Sequence, residues 1–176
     1  MIVTARADIE AALGPCDDAQ RVGPPSGSGE CWRVVQGSDV MACKVIVKGS
    51  EPGRFEREVT ALERIRSPRV MRVHGHGELV AASDGQRYPY LLSQFVDGGD
   101  VRVNLAAGPP SDRDLRAFLD AVLEGVAELH AAQIIHRDFK PENIVLANGD
   151  WSQPVIIDLG LSRLVDLSSV TVYPWA

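Results

Sequence analysis

Apolar positions along the chain follow two periods in turn, and the pattern of their succession predicts the fold. Residues 31–36 and 40–48 alternate as half-buried strands and are joined by Gly37-Ser38-Asp39, a hairpin connection. Residues 19–22 form a weaker strand before them. Residues 70–74 and 88–96 form two more after them, with a loop at Ser83-Asp84-Gly85 in between. The stretch Gly23-Pro24-Pro25-Ser26-Gly27-Ser28-Gly29 reads as a loop. Between the strands, residues 52–66 switch to helical spacing through Phe55, Val59, Leu62 and Ile65. This helix ends at Ser67-Pro68, because a proline pushes the residue before it out of the helical region. A short leading helix over residues 4–13 stops at Gly14-Pro15.

The character changes after Asp97-Gly98-Gly99-Asp100. A long helix is predicted over residues 112–132, capped by Ser111, with the stripe Leu115, Phe118, Leu119, Val122, Val126 and Leu129. Two short apolar strands, 143–147 and 155–157, follow around a turn at Asn148-Gly149, and the chain from Asp158 onward reads as loop. The pattern is α+β in two lobes. A leader, 1–18, precedes a lobe at 19–96 built on a five-stranded antiparallel sheet with one helix. A second, partial and mainly helical lobe covers 97–176.

Composition narrows the class. With 176 residues, 45% of them hydrophobic and 24% charged, the chain can bury one real core. A net charge of −6 with no basic run makes nucleic acid a poor partner, and no apolar stretch is long enough for a membrane span. Cys16, Cys31 and Cys43 form no Cys-x-x-Cys pair, so neither a disulfide framework nor a zinc site is indicated, and a reducing cytoplasm is expected. The basic residues are 15 Arg and only 3 Lys, which makes the placement of Lys44, Lys48 and Lys140 informative.

The chemistry concentrates in Ile135-His136-Arg137-Asp138-Phe139-Lys140-Pro141-Glu142-Asn143, with Asp158-Leu159-Gly160 further on. Asp138, Lys140 and Asn143 share one loop after a helix, and Asp158 follows a buried strand. Asp and Asn oxygens suit a hard cation such as Mg²⁺. A separate carboxylate can accept a hydroxyl proton, and a lysine can neutralise charge on a transferring phosphoryl group. On the first lobe, strand alternation places Ala42 and Lys44 on one face, and Glu58 falls within the apolar stripe of its helix, where an ionised carboxylate needs a cation.

These strings resemble the catalytic loop and metal-binding motif of the protein-kinase family, and Met41-Ala42-Cys43-Lys44 is similar to that family's Val-Ala-Ile-Lys strand. The resemblance implies Asp138 as catalytic base, Asn143 and Asp158 as metal ligands and Lys140 at the γ-phosphate. The position of Lys140 two residues after Asp138 is the serine/threonine pattern. It also implies that Lys44 reaches the α- and β-phosphates and pairs with Glu58. Gly27-Ser28-Gly29-Glu30-Cys31-Trp32-Arg33-Val34 resembles the family's Gly-x-Gly-x-x-Gly-x-Val loop, with Trp32 in place of the third glycine. By the same resemblance Gln94 to Val96 form a hinge for adenine, Ser93 is a small gatekeeper, and Val145 closes adenine from below, opposite Val34 and Ala42.

The implied function is ATP- and Mg²⁺-dependent phosphoryl transfer to serine or threonine hydroxyls of a protein substrate. Two alternatives are a nucleotide-binding or partner-completed module without full activity, and a small-molecule phosphotransferase of the aminoglycoside-kinase type. The resemblance runs from about residue 19 to the end and stops inside the family's activation segment, so a partner chain supplying missing second-lobe contacts is a further expectation. In that segment Ser162, Ser168, Ser169, Thr171 and Tyr173 are candidate phosphorylation sites, with Arg137 to bind the phosphate.

Overall fold

In the computed structural model, which describes residues 4–26, 29–47, 55, 59–60, 62–136 and 138–158, the hairpin signals of the first half close into one antiparallel sheet. Its strands are β1 (Asp18–Ser26), β2 (Gly29–Gln36), β3 (Asp39–Ile46), β4 (Val73–Val80) and β5 (Arg87–Gln94), in the order β1-β2-β3-β5-β4. Helix α1 (Arg6–Leu13) precedes them. Helices α2 (Val101–Ala107) and α3 (Asp112–Ala131) follow, and then the short pair β6 (Ile144–Leu146) and β7 (Pro154–Ile156).

The five-stranded sheet, the helical signal around Phe55, Val59 and Leu62, and the long helix capped by Ser111 agree with the expectation. Three boundaries differ. β1 runs on through Gly23-Pro24-Pro25-Ser26, where a loop was expected, with an irregular register between Val22 and Ser26. Prolines are tolerated there because β1 is an edge strand and their missing N–H groups break no ladder. The strand expected at 70–74 begins instead at Val73 and extends to Val80. Its interior positions 75 and 77 are glycines, so the alternation looks polar. A Cβ on Gly77 would come within 2.7 Å of the Tyr90 hydroxyl, so the Tyr90 ring supplies the bulk that the glycine omits. Helix α2 was not foreseen: it is seven residues long, too short for a periodic stripe. Asp100 caps it by accepting from the Val103 amide at 2.8 Å.

The two faces of the sheet are buried against different partners. On the back face Trp32, Val34, Cys43 and Val45 pack with Ile9 of α1, Cys16, Ala19, Leu79 and Ala81. The leader is therefore part of the sheet's core. On the front face Ile46 and Leu91 join Phe55, Val59, Leu62, Val70, Leu129 of α3 and Ile156 of β7 in a core that runs from the sheet into the second half of the chain. Residues 69–71 stitch the halves together. Met71 N–H donates to the Ile156 carbonyl at 2.9 Å and Ile156 N–H to the Arg69 carbonyl at 2.8 Å, a parallel bridge beside β7.

The α3 stripe divides along its length. Val122 and Leu129 are buried, whereas Leu115 and Leu119 face outward, together with Leu123 from outside the stripe. Leu129→Ala is expected to destabilise the fold by about 2–5 kcal/mol, because it opens a cavity in the shared core. Leu123→Ala, at a side chain 65% exposed, should stay within about 0.5 kcal/mol. Urea unfolding of the two variants checks the contrast, which comparable losses would contradict.

Candidate active site

A cleft of about 500 Å³ lies between the sheet and the β6–β7 pair. Its sheet wall includes Gly29, Ala42, Lys44 and Ser93, its rear edge Gln94 and Val96, and its floor Asn143, Val145 and Asp158. The antiparallel register explains the wall. Cys31 stands opposite Lys44, Arg33 opposite Ala42, and Ser93 opposite Ala42 on the other side, so these residues share a face.

The same register corrects the glycine-loop expectation. Trp32 and Val34 pair with Cys43 and Met41 and point to the back face, where Val34 is fully buried among Ile9 and Val45. Val34 therefore does not line the cleft. Residues 29 and 31 take the places that the glycine spacing assigned to 32 and 34. At Gly29, φ is +148° and a Cβ would fall 1.9 Å from the Val45 carbonyl oxygen, so a glycine is required at that close approach. Cys31 then lies on the cleft wall where a valine was expected. Gly27 and Ser28, like Glu58 and the phosphorylation candidates with Arg137, lie outside the described residues.

The loop after α3 is organised around Asp138. Its backbone N–H donates to the His136 carbonyl at 2.8 Å, and its carboxylate accepts from Lys140 Nζ at 2.8 Å and from Asn143 Nδ2 at 3.3 Å. Asn143 Nδ2 also donates to the Asp138 carbonyl at 2.8 Å, which assigns the other end of the amide as oxygen. His136 is buried; its Nε2 bonds the Ile157 carbonyl at 3.0 Å and its ring meets Phe139 edge-on at 5.4 Å. Ile157 N–H in turn donates to the Asn143 carbonyl at 2.9 Å. The loop and the strand that delivers Asp158 are thus bonded twice.

Lys44 Nζ is in direct contact with the Asp158 carboxylate, with both side chains partly exposed. Asp158 sits at φ +54°, a left-handed conformation uncommon for a residue with a side chain. The expected partner Glu58 is not described; the partner observed for Lys44 is Asp158. At the rear edge, Gln94 N–H donates to the Arg72 carbonyl at 2.8 Å and Phe95 N–H to the Val40 carbonyl at 3.4 Å, so both amides are committed to flanking chain. Sequence reasoning missed Val22, Met71 and Ile157 as cleft residues. Only the folded register brings them to the wall.

A model of the protein kinase domain matches residues 22–173. The chain belongs to the protein kinase family. It is 36% identical over 144 residues to CBL-interacting protein kinase 4 of Oryza sativa subsp. japonica, covering 76% of this chain and 30% of that protein. It is 34% identical over 119 residues to the serine/threonine-protein kinase PknL of Mycobacterium tuberculosis, covering 67% of this chain and 28% of that protein. The kinase chain therefore spans less than a third of the length of these relatives. Among solved structures, the Mycobacterium tuberculosis PknI kinase domain matches with TM-score 0.62 and 27% identity, over 81% of this chain and 58% of that one. Rad53 crystallised with AMP-PNP matches with TM-score 0.67 and 24% identity over 86% of this chain and 40% of that one, a likeness of fold.

Burial separates the thiols of this kinase chain. Desolvation pushes Cys43 up to about 12; it also raises Cys31, an effect that Lys44 opposes. Because only the thiolate reacts and both groups are protonated at neutral pH, iodoacetamide labelling should quicken as pH rises, with Cys31 reacting well ahead of Cys43. Peptide mass spectrometry across pH 7–9.5 reads the order, and faster labelling of Cys43 would contradict it.

Proposed function

We propose that this kinase chain carries the site for transfer of the γ-phosphoryl of ATP to a serine or threonine hydroxyl of a protein. The observation that carries the reading is the Asp138–Lys140–Asn143 hydrogen-bonded loop, joined through Ile157 to Asp158 and facing Lys44 across the cleft. In the proposed step the substrate hydroxyl oxygen attacks the γ-phosphorus, the bond to the bridging oxygen breaks with ADP leaving, and Asp138 takes the hydroxyl proton. Lys140, already bonded to Asp138, stands where it can offset charge on the phosphoryl oxygens. Lys44 would hold the other phosphates. This arrangement of lysine and base on one loop supports the protein-kinase reading over the aminoglycoside type.

The donor set fits Mg²⁺. Asn143 spends its amide nitrogen on Asp138, leaving a hard oxygen, and Asp158 adds a carboxylate in the same cleft. Bound there with ATP, the ion would neutralise phosphate charge. For adenine, the commitment of the Gln94 and Phe95 amides supports Val96 as the hinge donor, with Ala42 and Val145 on either side of the base. Three free cysteines among the described residues fit a cytoplasmic setting, and no described helix is long and apolar enough to cross a membrane.

A second reading rests on α3. Its outward stripe of Leu115, Leu119 and Leu123 supports a module completed by a partner chain, one that binds nucleotide and transfers phosphate only when that face is covered.

Transfer of labelled γ-phosphate to a generic serine/threonine substrate should fall about 10²–10⁴-fold in Asp138→Asn. Undiminished transfer in that variant would refute the assigned base. Mg²⁺-dependent stabilisation by ATP, about 2.7 kcal/mol at 100 times its dissociation constant, tests binding separately. Binding without transfer favours the second reading. Ser93 is small and lines the cleft, so an ATP analogue with a bulky N6 substituent should bind, and Ser93→Phe should exclude it while retaining ATP. Competition binding measures both, and exclusion of every such analogue by the unsubstituted chain would refute an open pocket behind adenine.

A further inference from the structure

The back of the sheet holds a buried polar cluster directly behind the cleft wall. Glu30 has no exposed side-chain surface and Thr4 is 2% exposed. Thr4 donates to Glu30 Oε2 twice, from its hydroxyl at 2.5 Å and from its backbone N–H at 3.1 Å. Trp32 Nε1–H donates to the Thr4 hydroxyl oxygen at 3.0 Å. Arg21 donates from Nη2 to the Thr4 carbonyl at 2.5 Å, lies 3.6 Å from Glu30 Oε2, and stacks 4.8 Å above the Trp32 ring.

This cluster differs from surface decoration in two ways. A buried carboxylate is costly unless it is paired and hydrogen-bonded, and here two of the bonds come from a residue far away in sequence. Thr4 and α1 also lie before residue 22, where the kinase-family match begins, yet Ile9 is fully buried in the sheet's back core. Strand alternation supplies the connection to function. Glu30 turns its carboxylate back into the cluster, while residues 29, 30 and 31 all belong to the lining of the cleft. Gly29 has no slack, since its Cα already lies close against the Val45 carbonyl.

We propose that Thr4 is a positioning residue for the nucleotide cleft: by holding Glu30 from behind it fixes residues 29–31, and so sets the affinity of the cleft for MgATP. The inference rests on the nucleotide reading of that cleft. By linkage the coupling is reciprocal, and MgATP in the cleft steadies the N-terminal segment.

Thr4→Val keeps the shape and removes the hydroxyl; Thr4→Ser restores it. Arg6→Ala serves as control, because Arg6 bonds Glu10 on α1 and the Cys16 carbonyl beyond its end, away from Glu30. MgATP affinity by calorimetry and amide hydrogen exchange without nucleotide are the two readouts. Thr4→Val should raise the MgATP dissociation constant at least fivefold and speed exchange selectively at residues 29–31, with Thr4→Ser and Arg6→Ala near the unsubstituted chain. If Thr4→Val does not fold, Trp32→Phe, which removes the indole N–H donor and leaves a smaller aromatic ring beneath Arg21, should shift both readouts in the same direction by a smaller factor. A lowered melting temperature with the dissociation constant within twofold, or exchange quickened evenly over the whole sheet, would overturn the proposal and leave a merely structural cluster. Absence of MgATP binding by the unsubstituted chain would overturn the nucleotide reading instead. The exchange at residues 29–31 then decides alone whether Thr4 holds that wall.

Discussion

The geometry of the cleft depends on one seam, where residues 69–71 lie along β7. Two backbone hydrogen bonds fix its register, and Val70 and Ile156 at its centre are almost wholly buried in a core shared with Leu91 of the sheet and Leu129 of α3. Ile157 and Asp158 follow immediately. A slip at the seam would move Asp158 relative to Lys44, although neither residue belongs to it. The Lys44–Asp158 ion pair is too weak to set this distance itself. Partly exposed pairs contribute at most about 1 kcal/mol, whereas fully burying one large aliphatic side chain is worth about 1.5–3 kcal/mol. Packing therefore sets the register, and the charges report it.

A well-fixed seam also makes local strain tolerable. Asp158 holds a left-handed backbone that costs of order 1–3 kcal/mol for a non-glycine residue, and it does so directly after a strand anchored on both sides. Ile157 is bonded to Asn143 through its N–H and to His136 through its carbonyl. The strained residue therefore inherits its orientation from neighbours that cannot easily relax. Gly98 shows the same economy of space at the rear edge. At φ +125° its Cα approaches the Leu146 carbonyl so closely that a Cβ would fall 2.0 Å away, which lets the chain leave the sheet and cross onto β6.

The sequence is most readable where function and locality coincide. Asp138, Lys140 and Asn143 sit within six consecutive residues, so their meeting needs only one loop, and the structure brings them into one hydrogen-bonded group. The sheet was legible for a similar reason, since hairpins pair neighbours. What failed needed register. The glycine spacing suggested residues 27–34 as the phosphate loop, but which β2 side chains face the cleft is decided by pairing with β3, and that pairing turns Trp32 and Val34 to the back. β4 was misplaced because the bulk at its interior comes from Tyr90 on another strand. The cluster of Thr4, Arg21, Glu30 and Trp32 was invisible for the same reason: its residues are ordinary one by one and become a buried network only when strand and leader meet.

Burial is distributed unevenly between the two halves, and this bears on how rigidly the Asp138 loop is held. The sheet is covered on the back by α1 and, on the part of its front face beside the cleft, by the shared core. Helix α3 is anchored at Val122 and Leu129 but carries Leu115, Leu119 and Leu123 on the surface. Elements with fewer buried contacts open at lower free energy. The Asp138 loop continues from the end of α3, where Gln133 N–H bonds the His130 carbonyl and Ile134 N–H the Leu129 carbonyl. Leu129 thus joins three things at once: the shared core, the end of the helix and the start of the loop. Any surface that covers the outer stripe would stiffen α3 along its length and act on Asp138 through that last turn, without touching the cleft.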